Sequence, residues 1–144
     1  MVFYIDNLHL LNLYLVMIDV TCAIILRGNK ILVTQRSEKM SLPLKWEFPG
    51  GKIEESETAE ECIHREIKEE INIEIKLIEK LESKIFHYET FTIKLIPFLS
   101  EYLSGEIFLT EHKDFKWLPK SQLAFLDWAL ADIPVLEEFL KLNL

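Results

Sequence analysis

The sequence predicts an α/β fold in which a mixed β-sheet lies between layers of helix. Short apolar segments of strand length lie on both sides of one central helical segment. A second helical pattern closes the chain, and no repeat, low-complexity segment or interdomain linker separates the elements. Strands interleaved with one central and one C-terminal helix are typical of an α/β/α sandwich.

The strands follow from apolar runs and from alternation of apolar with polar residues. The predicted strands are residues 20–26, 31–36, 73–77, 85–95, 99–103 and 107–109, and a short strand that ends at Pro119. A hairpin turn at Gly28 and Asn29 joins the first two, and Gly105 is predicted to turn residues 99–103 back onto 107–109. Pro97 predicts a bulge or a sheet edge.

Length and composition predict a single domain over residues 17–144. The chain has 144 residues, of which 49% are hydrophobic, enough for a sizeable core. Its net charge of −8 argues against a nucleic-acid polymer as partner, because neutralising a phosphate backbone needs a basic surface. We expect a monomer or a homodimer.

The first 16 residues form a leucine-rich segment that stands apart from the rest. Asp6 and Asn12 interrupt it and no basic segment precedes it, so it is too interrupted for a transmembrane helix and poorly formed as a signal peptide. We therefore expect no membrane partner. Met17 stands just before the first clear strand, so residues 1–16 are interpreted as an added edge element or as the product of an upstream start.

The two cysteines predict a reducing compartment. Cys22 lies in an apolar strand and Cys62 on the central helix, positions typical of buried free thiols rather than of a disulfide or a metal pair. Because unpaired thiols persist in reducing surroundings, we expect a cytoplasmic location.

The segment 50–73 carries the strongest signal in the chain, with eight glutamates between Glu54 and Glu70. Thr58 is predicted as the N-cap of the central helix, and Glu61 three residues later completes a capping box. Apolar residues then recur every four positions and form a stripe that faces a core: Ala59, Ile63 and Ile67.

Three carboxylates beside this stripe predict a metal site. Glu66, Glu69 and Glu70 stand at i, i+3 and i+4, so their side chains converge on one face of the helix. Like charges next to a buried stripe cost stability unless a cation joins them, and hard oxygen ligands suit Mg²⁺ or Mn²⁺. The alternative is a surface helix that is merely rich in glutamate.

The spacing of these residues resembles the Nudix box, Gly-x5-Glu-x7-Arg-Glu-U-x-Glu-Glu-x-Gly-U, in which U is aliphatic. Here the pattern runs from Gly51 through Glu57 and residues 65–70 to Ile73, and every fixed position matches except one. Asn72 stands at the glycine position after the helix, where a left-handed residue is needed and asparagine is the best substitute. The resemblance covers roughly residues 17–142 and implies the Nudix fold.

The resemblance implies an enzyme that hydrolyses a nucleoside diphosphate linked to another group with the help of divalent ions. The implied metal ligands are the Gly50 carbonyl and the carboxylates of Glu66, Glu69, Glu70 and Glu111. Bound ions neutralise phosphate oxygens and lower the pKa of a water, and a nearby carboxylate takes its proton.

Catalytic roles are implied for Glu69, Glu70, Glu111 and Arg65. Arg65 precedes Glu69 by four residues and is expected to pair with it and fix its rotamer. Glu57 is expected to have a structural role, orienting the loop and helix.

Glu111 and His112 lie in a predicted polar loop. In MutT-like and CTP-pyrophosphohydrolase-like members, a glutamate six residues before a tryptophan joins the metal site from a flexible loop, and Glu111 and Trp117 have that spacing. The alternative for Glu111 is a solvated loop acid. His112 is interpreted as a satisfied surface histidine rather than as a general base.

Four residues are predicted to bind the substrate: Arg36, Lys52, Phe48 and Asp132. Arg36 ends a strand that resembles the one that delivers an arginine to the substrate phosphates in MutT-type enzymes. Phe48 is expected in the core or in a pocket wall. Asp132 resembles a residue that touches the base at the start of the last helix, and the alternative is that it only caps that helix.

The chemistry of Asp132 bears on the base. An ionised aspartate only accepts hydrogen bonds, so it favours the amino group of cytosine and repels the O6 atom of guanine, unless burial keeps the carboxyl protonated. Oxidised guanine presents a new N7–H donor and remains a candidate.

The combined interpretation is an Mg²⁺-dependent nucleoside triphosphate pyrophosphohydrolase that releases the monophosphate and pyrophosphate. Cytosine nucleotides such as CTP or dCTP compete with oxidised purine nucleotides such as 8-oxo-dGTP as targets of nucleotide-pool cleaning. The alternatives are a Nudix hydrolase of another nucleoside diphosphate derivative, such as ADP-ribose, and a non-catalytic nucleotide sensor. The intact set Glu66, Glu69 and Glu70 argues against the sensor.

Overall fold

The computed structural model describes residues 17–144, so the predictions for residues 1–16 lie outside the described part. The strands are β1 (Met17–Arg27), β2 (Lys30–Gln35), β3 (Trp46–Glu47), β4 (Gly50–Lys52), β5 (Glu74–Lys80), β6 (Lys84–His87), β7 (Thr92–Ser104) and β8 (Asp114–Pro119). The α-helices are α1 (Ala59–Ile71) and α2 (Ile133–Leu140), and two 3₁₀ helices, Lys120–Phe125 and Leu130–Asp132, precede α2. In this part of the chain no helix is both long and apolar enough to cross a membrane.

The strands form one mixed sheet, as predicted. Its order is β3-β2-β1-β7-β5, with β4 paired to β1, β6 to β7 and β8 to β2. The long β1 and β7 run parallel, and the other described pairings are antiparallel. The predicted hairpin between β1 and β2 is confirmed, with Gly28 at a φ of 61° in its turn. Antiparallel pairing to β2 also places Trp46, at the start of β3, opposite Gln35, at the end of β2.

Two strand predictions were wrong. Residues 85–95 are not one strand, because the chain turns between Tyr88 and Phe91 and β6 pairs back onto β7. Residues 107–109 are not a strand: Phe108 N–H donates to the Ile71 carbonyl (3.1 Å), so this segment lies against the end of α1. Alternation of apolar residues identifies a half-buried segment, but it does not identify the partner that covers it.

Pro97 lies inside the sheet, at a break in pairing and not at a sheet edge. Its carbonyl accepts from Leu81 N–H (2.9 Å), in the gap between the end of β5 at Lys80 and the start of β6 at Lys84. A residue's N–H and C=O point to the same side of a strand, so the missing N–H of Pro97 faces that gap, where little ladder pairing is lost.

Each face of the sheet packs against one α-helix, which confirms the α/β/α sandwich. Successive residues of β1 point to opposite faces: Cys22 and Ile24 join the core under α2, whereas Ala23 and Ile25 join the core under α1. The apolar stripe of α1 is fully buried in the second core through Ile63, Ile67 and Ile71. This burial fixes the rotation of α1 about its axis and therefore the direction of its glutamates.

Both ends of α1 adopt the predicted caps. Thr58 and Glu61 form the complete capping box, and Asn72 ends the helix in the left-handed conformation with φ 63° and ψ 31°. The Asn72 side-chain amide also donates to the Glu106 carbonyl (3.2 Å). The residue that departs from the Nudix box therefore satisfies the backbone requirement of the glycine position.

Replacing Asn72 tests whether its left-handed backbone conformation or its side-chain contact with Glu106 contributes more to stability. We expect Asn72→Gly to change the free energy of unfolding by no more than about 1 kcal/mol, because glycine adopts this conformation freely but loses the contact with Glu106. We expect Asn72→Val to cost about 2 kcal/mol or more, because a β-branched residue is strained at positive φ. Urea unfolding measures both variants, and equal losses would show that the amide contact outweighs the backbone conformation.

Candidate active site

Arg65 is the centre of an ion-pair network on one side of α1. Its Nε and Nη2 donate to the two carboxylate oxygens of Glu57 at 2.6 and 2.9 Å, and its Nη1 reaches Glu66 at 2.9 Å and Glu69 at 3.2 Å. The predicted contact with Glu69 is therefore present, but it is the longest of these contacts. The arginine holds several carboxylates of α1 and of the preceding loop in fixed positions.

Glu57 ties the loop before α1 to the helix. Besides Arg65, its carboxylate accepts from the backbone N–H of Glu54 at 3.0 Å. The hydrogen bond from Arg65, with a smaller effect of the Glu54 N–H, lowers the pKa of Glu57 from its usual 4.5 to about 2. These contacts are structural, in keeping with the expectation for this residue.

Glu70 is the focus of the negative charge in the site. Its Oε2 is buried and has no hydrogen-bond partner among the described residues. Burial raises the pKa of Glu70 above its usual range, and the carboxylates of Glu66, Glu47 and Glu111 raise it further. Four acidic side chains from three parts of the chain thus act on one another, and Glu47 is a member that the sequence analysis did not identify.

Gly51 lies close against the side chain of Glu66 on α1. A Cβ atom at this position would collide with the carboxylate of Glu66, so a larger residue would have to displace that side chain. The neighbouring Gly50 lines the cavity described below. Gly51 therefore brings the backbone of β4 up to the acidic face of α1, whereas Gly50 lies against the backbone of β1 at Thr21.

The residues fit a divalent cation. Within residues 17–144, no three histidine, cysteine or acidic side chains already stand together as a metal cage, because Glu66 and Glu69 are turned toward Arg65. The donor set nevertheless consists of hard carboxylate oxygens, and the unpartnered Glu70 Oε2 lies among them. A cation here would relieve the repulsion that raises the pKa of Glu70.

His112 is buried, and its interpretation as a surface histidine was wrong. Its side chain is 1% exposed; Nε2 lies 2.8 Å from Glu47 Oε2, and Nδ1 lies 3.7 Å from Glu70 Oε2. The loop folds inward at this residue because the ring fills the space between β3 and α1. A single sequence carries no signal for this burial, since Glu47 is 65 residues away.

Glu111 is exposed, but both of its neighbours are anchored. On one side, Thr110 N–H donates to the Glu70 carbonyl (3.2 Å) at the end of α1. On the other side stand the buried His112 and then Lys113, whose N–H donates to the Gln35 carbonyl (2.9 Å). Glu111 is thus held near Glu70 by the chain on either side of it.

A cavity of about 320 Å³ opens beside Glu70, and all four predicted substrate-binding residues line it: Arg36, Lys52, Phe48 and Asp132. The rings of Tyr88 and Phe91, which the sequence analysis did not single out, also line it. The cavity is therefore lined by basic, acidic and aromatic side chains together.

Arg36 is pre-positioned at the cavity by two groups. Its Nη1 donates to Glu47 Oε1 (2.9 Å), and its Nε and Nη2 donate to the carbonyl and hydroxyl of Ser41 (2.5 and 3.0 Å). Glu47 therefore contacts both Arg36 and His112, one with each carboxylate oxygen.

Asp132 does not cap α2. It occupies the N-cap position without a side-chain capping bond, and its Oδ2 instead accepts from the backbone N–H of Phe48 at 2.9 Å. Burial raises the pKa of Asp132 well above its usual range, and the charge of Glu47 raises it further. The capping alternative is therefore wrong, and burial favours the protonated carboxyl, which can donate a hydrogen bond.

Most of the chain matches a single known domain family. Residues 17–139 match the NUDIX domain. This match and the fold define the class as a hydrolase with an α/β/α sandwich. The chain belongs to the Nudix family, whose enzymes act on small-molecule nucleotides and generally need a divalent metal ion.

Several relatives are similar to this chain over most of their length. The chain is 34% identical to the CTP pyrophosphohydrolase of Escherichia coli K12, covering 88% of this chain and 94% of the relative. It is also 34% identical to the 8-oxo-dGTP diphosphatase of the same organism, covering 80% and 89%. The solution structure of a MutT protein of the Nudix family from methicillin-resistant Staphylococcus aureus 252 is 42% identical, with a TM-score of 0.71 and coverage of 87% and 96%.

The Arg65–Glu57 pair predicts a change in acid stability. The pKa of Glu57 is lowered on folding, so its stabilising contribution is complete above pH 4.5 and is lost as the pH falls toward about 2. We expect Glu57→Gln to be less stable than the wild type at pH 7 and to lose less of its remaining stability between pH 5 and pH 2.5. Urea unfolding across this range tests it, and parallel pH profiles for the two proteins would contradict it.

Proposed function

We propose that this protein is a nucleoside triphosphate pyrophosphohydrolase, which converts a nucleoside triphosphate and water to the monophosphate and pyrophosphate. One observation carries the proposal: the unpartnered, buried oxygen of Glu70 stands near three other carboxylates, at the wall of a cavity that Arg36 and Lys52 also line. A metal ion would neutralise the carboxylates, and the basic side chains beside them would bind an anion. A metal-bound polyphosphate meets both requirements. The CTP pyrophosphohydrolase and 8-oxo-dGTP diphosphatase among the relatives support this reaction.

The proposed metal ion is Mg²⁺, with Mn²⁺ as a substitute. Its proposed ligands are the Gly50 carbonyl and the carboxylates of Glu66, Glu69, Glu70 and Glu111, all oxygen atoms as Mg²⁺ prefers. When bound, the ion neutralises phosphate oxygens and lowers the pKa of a coordinated water.

The chain's own residues would bind, orient and accept a proton. Arg36 and Lys52 bind the phosphates, and Phe48 forms the wall against the base. Arg65 fixes the rotamers of the carboxylates that it contacts. A carboxylate of the cluster, Glu69, Glu70 or Glu111, takes the proton of the attacking water, while the bond between the α- and β-phosphates breaks and pyrophosphate leaves.

The cellular location and the partner that we propose for the enzyme follow from its thiols and its net charge. Cys22 and Cys62 are buried and unpaired, which supports a reducing cytoplasm. The net charge of −8 supports a nucleotide rather than a nucleic-acid polymer as partner. A monomer or a homodimer remains the expectation for its assembly.

A nucleotide panel with Mg²⁺ tests the reaction, and Glu69→Gln tests the metal site. We expect pyrophosphate as the product and a loss of about 10²-fold or more in kcat for Glu69→Gln, because the variant removes a ligand's charge but little volume. Glu60→Gln is the matched control, an exposed glutamate on the same helix, and should keep wild-type activity. Orthophosphate as the product would overturn the reaction, and near-normal turnover by Glu69→Gln would overturn the metal assignment.

Asp132 predicts a base preference that depends on pH. A protonated Asp132 donates to an O6 atom, whereas the ionised form accepts from the cytosine amino group. As the pH rises through the raised pKa of Asp132, we therefore expect the ratio of kcat/KM for dGTP, which has the O6 acceptor but no N7–H donor, to that for CTP to fall by about tenfold in the wild type. The ratio should stay flat in Asp132→Asn, whose amide has no proton to lose. Equal slopes in both proteins would contradict base recognition by Asp132.

A further inference from the structure

The buried ring of His112 joins the two halves of the site. One half is the acidic face of α1, and the other contains Arg36 and the cavity wall. The ring is 1% exposed and lies between β3 and α1, with Nε2 at 2.8 Å from Glu47 and Nδ1 at 3.7 Å from Glu70. Its Nδ1 has no hydrogen-bond partner among the described residues and points to the unpartnered oxygen of Glu70.

The direction of the Glu47 hydrogen bonds follows from their chemistry. An ionised carboxylate only accepts, so Nε2–H of His112 donates to Oε2 of Glu47, while the guanidinium of Arg36 donates to Oε1 at 2.9 Å. One carboxylate therefore fixes an arginine with one oxygen and the histidine ring with the other. A continuous chain of contacts runs from Arg36 through Glu47 and His112 to Glu70.

The same ring fixes the loop that carries Glu111. Thr110 is bonded to the last turn of α1, and His112 is bonded to β3, so Glu111 stands between two fixed points. Without the bond from His112 to Glu47, the loop would keep its anchor at Thr110 but lose the one that follows Glu111 directly.

We propose that His112 is a positioning residue that sets the affinity of the site for its divalent ion. The ring holds Glu111 beside Glu70. Through its bond to Glu47, it also keeps these two carboxylates in a fixed position relative to Arg36. The proposal rests on the proposed function, because it takes Glu70 and Glu111 as metal ligands. It assigns to His112 and Glu47, which lie outside the Nudix box, a role in orienting ligands.

Two amide variants of His112 show whether the bond to Glu47 is required or whether any polar side chain at this position is enough. The amide of His112→Gln reaches the position of Nε2 and can still donate to Glu47, whereas that of His112→Asn is shorter and stops near the position of Nδ1. His64→Gln is the matched control, because His64 is an exposed histidine on α1. Mn²⁺ affinity, read from the electron paramagnetic resonance signal of free Mn²⁺ without nucleotide, gives a readout that does not depend on turnover.

We expect His112→Asn to weaken Mn²⁺ binding by about tenfold or more and to lower kcat, with the nucleotide KM at saturating metal within about threefold of the wild type. His112→Gln should recover most of the Mn²⁺ affinity, and His64→Gln should match the wild type. Glu47→Gln should also weaken Mn²⁺ binding, and the double variant should lose less than the sum of the two single losses, because both changes act on the contact between His112 and Glu47, although Glu47→Gln also removes the ion pair with Arg36.

Wild-type Mn²⁺ affinity in both His112→Asn and Glu47→Gln, with only the melting temperature lowered, would overturn the proposal. So would equal losses in His112→Gln and His112→Asn. If His112→Asn does not fold, Glu47→Gln and His112→Gln decide the question alone. Failure of the wild type to release pyrophosphate from any nucleoside triphosphate would instead overturn the proposed function, and the Mn²⁺ comparison would still stand.

Discussion

Negative charge gathered at one end of α1 is the constraint on which the rest of the site depends. Burial and three neighbouring carboxylates raise the pKa of Glu70, so keeping this carboxylate ionised in the folded chain costs free energy. Arg65 is the cation that the chain supplies itself, and it neutralises Glu57 and Glu66 on one side of the helix. The charge left around Glu70 suits a divalent ion, which explains how a protein with a net charge of −8 can hold a polyphosphate.

The fold fixes this charge by packing and capping. The stripe that includes Ile63 and Ile67 is buried against the sheet, so α1 cannot rotate to spread its glutamates into solvent. Thr58 and Asn72 define where the helix begins and ends, and Gly51 lets β4 approach the Glu66 side chain. The rigid parts of the site are thus produced by ordinary core packing, and only a few polar contacts orient the reactive groups.

The sequence predicted the local features of the fold better than the contacts between distant segments. The mixed sheet, both α-helices and the caps of α1 followed from periodicity and local hydrogen-bonding rules, and the structure confirms them. The division of residues 85–95 into two strands did not follow, because alternation is the same in one strand or in a hairpin. The surface assignment of His112 failed for a related reason: a polar residue in a polar loop reveals nothing about a partner that is distant in sequence.

The sequence by itself determined the features that act over one or two turns of helix. Glu66, Glu69 and Glu70 share a face because i, i+3 and i+4 residues are neighbours on any α-helix, so their spacing predicts their convergence. Tertiary structure decided the contacts between distant segments, such as Glu47 with His112 across 65 residues and the backbone of Phe48 with Asp132 across 84. These contacts exist only after the sheet has brought β3 against the loop before β8 and the start of α2. Local geometry therefore encodes the acidic face of α1, and long-range packing determines which groups surround it.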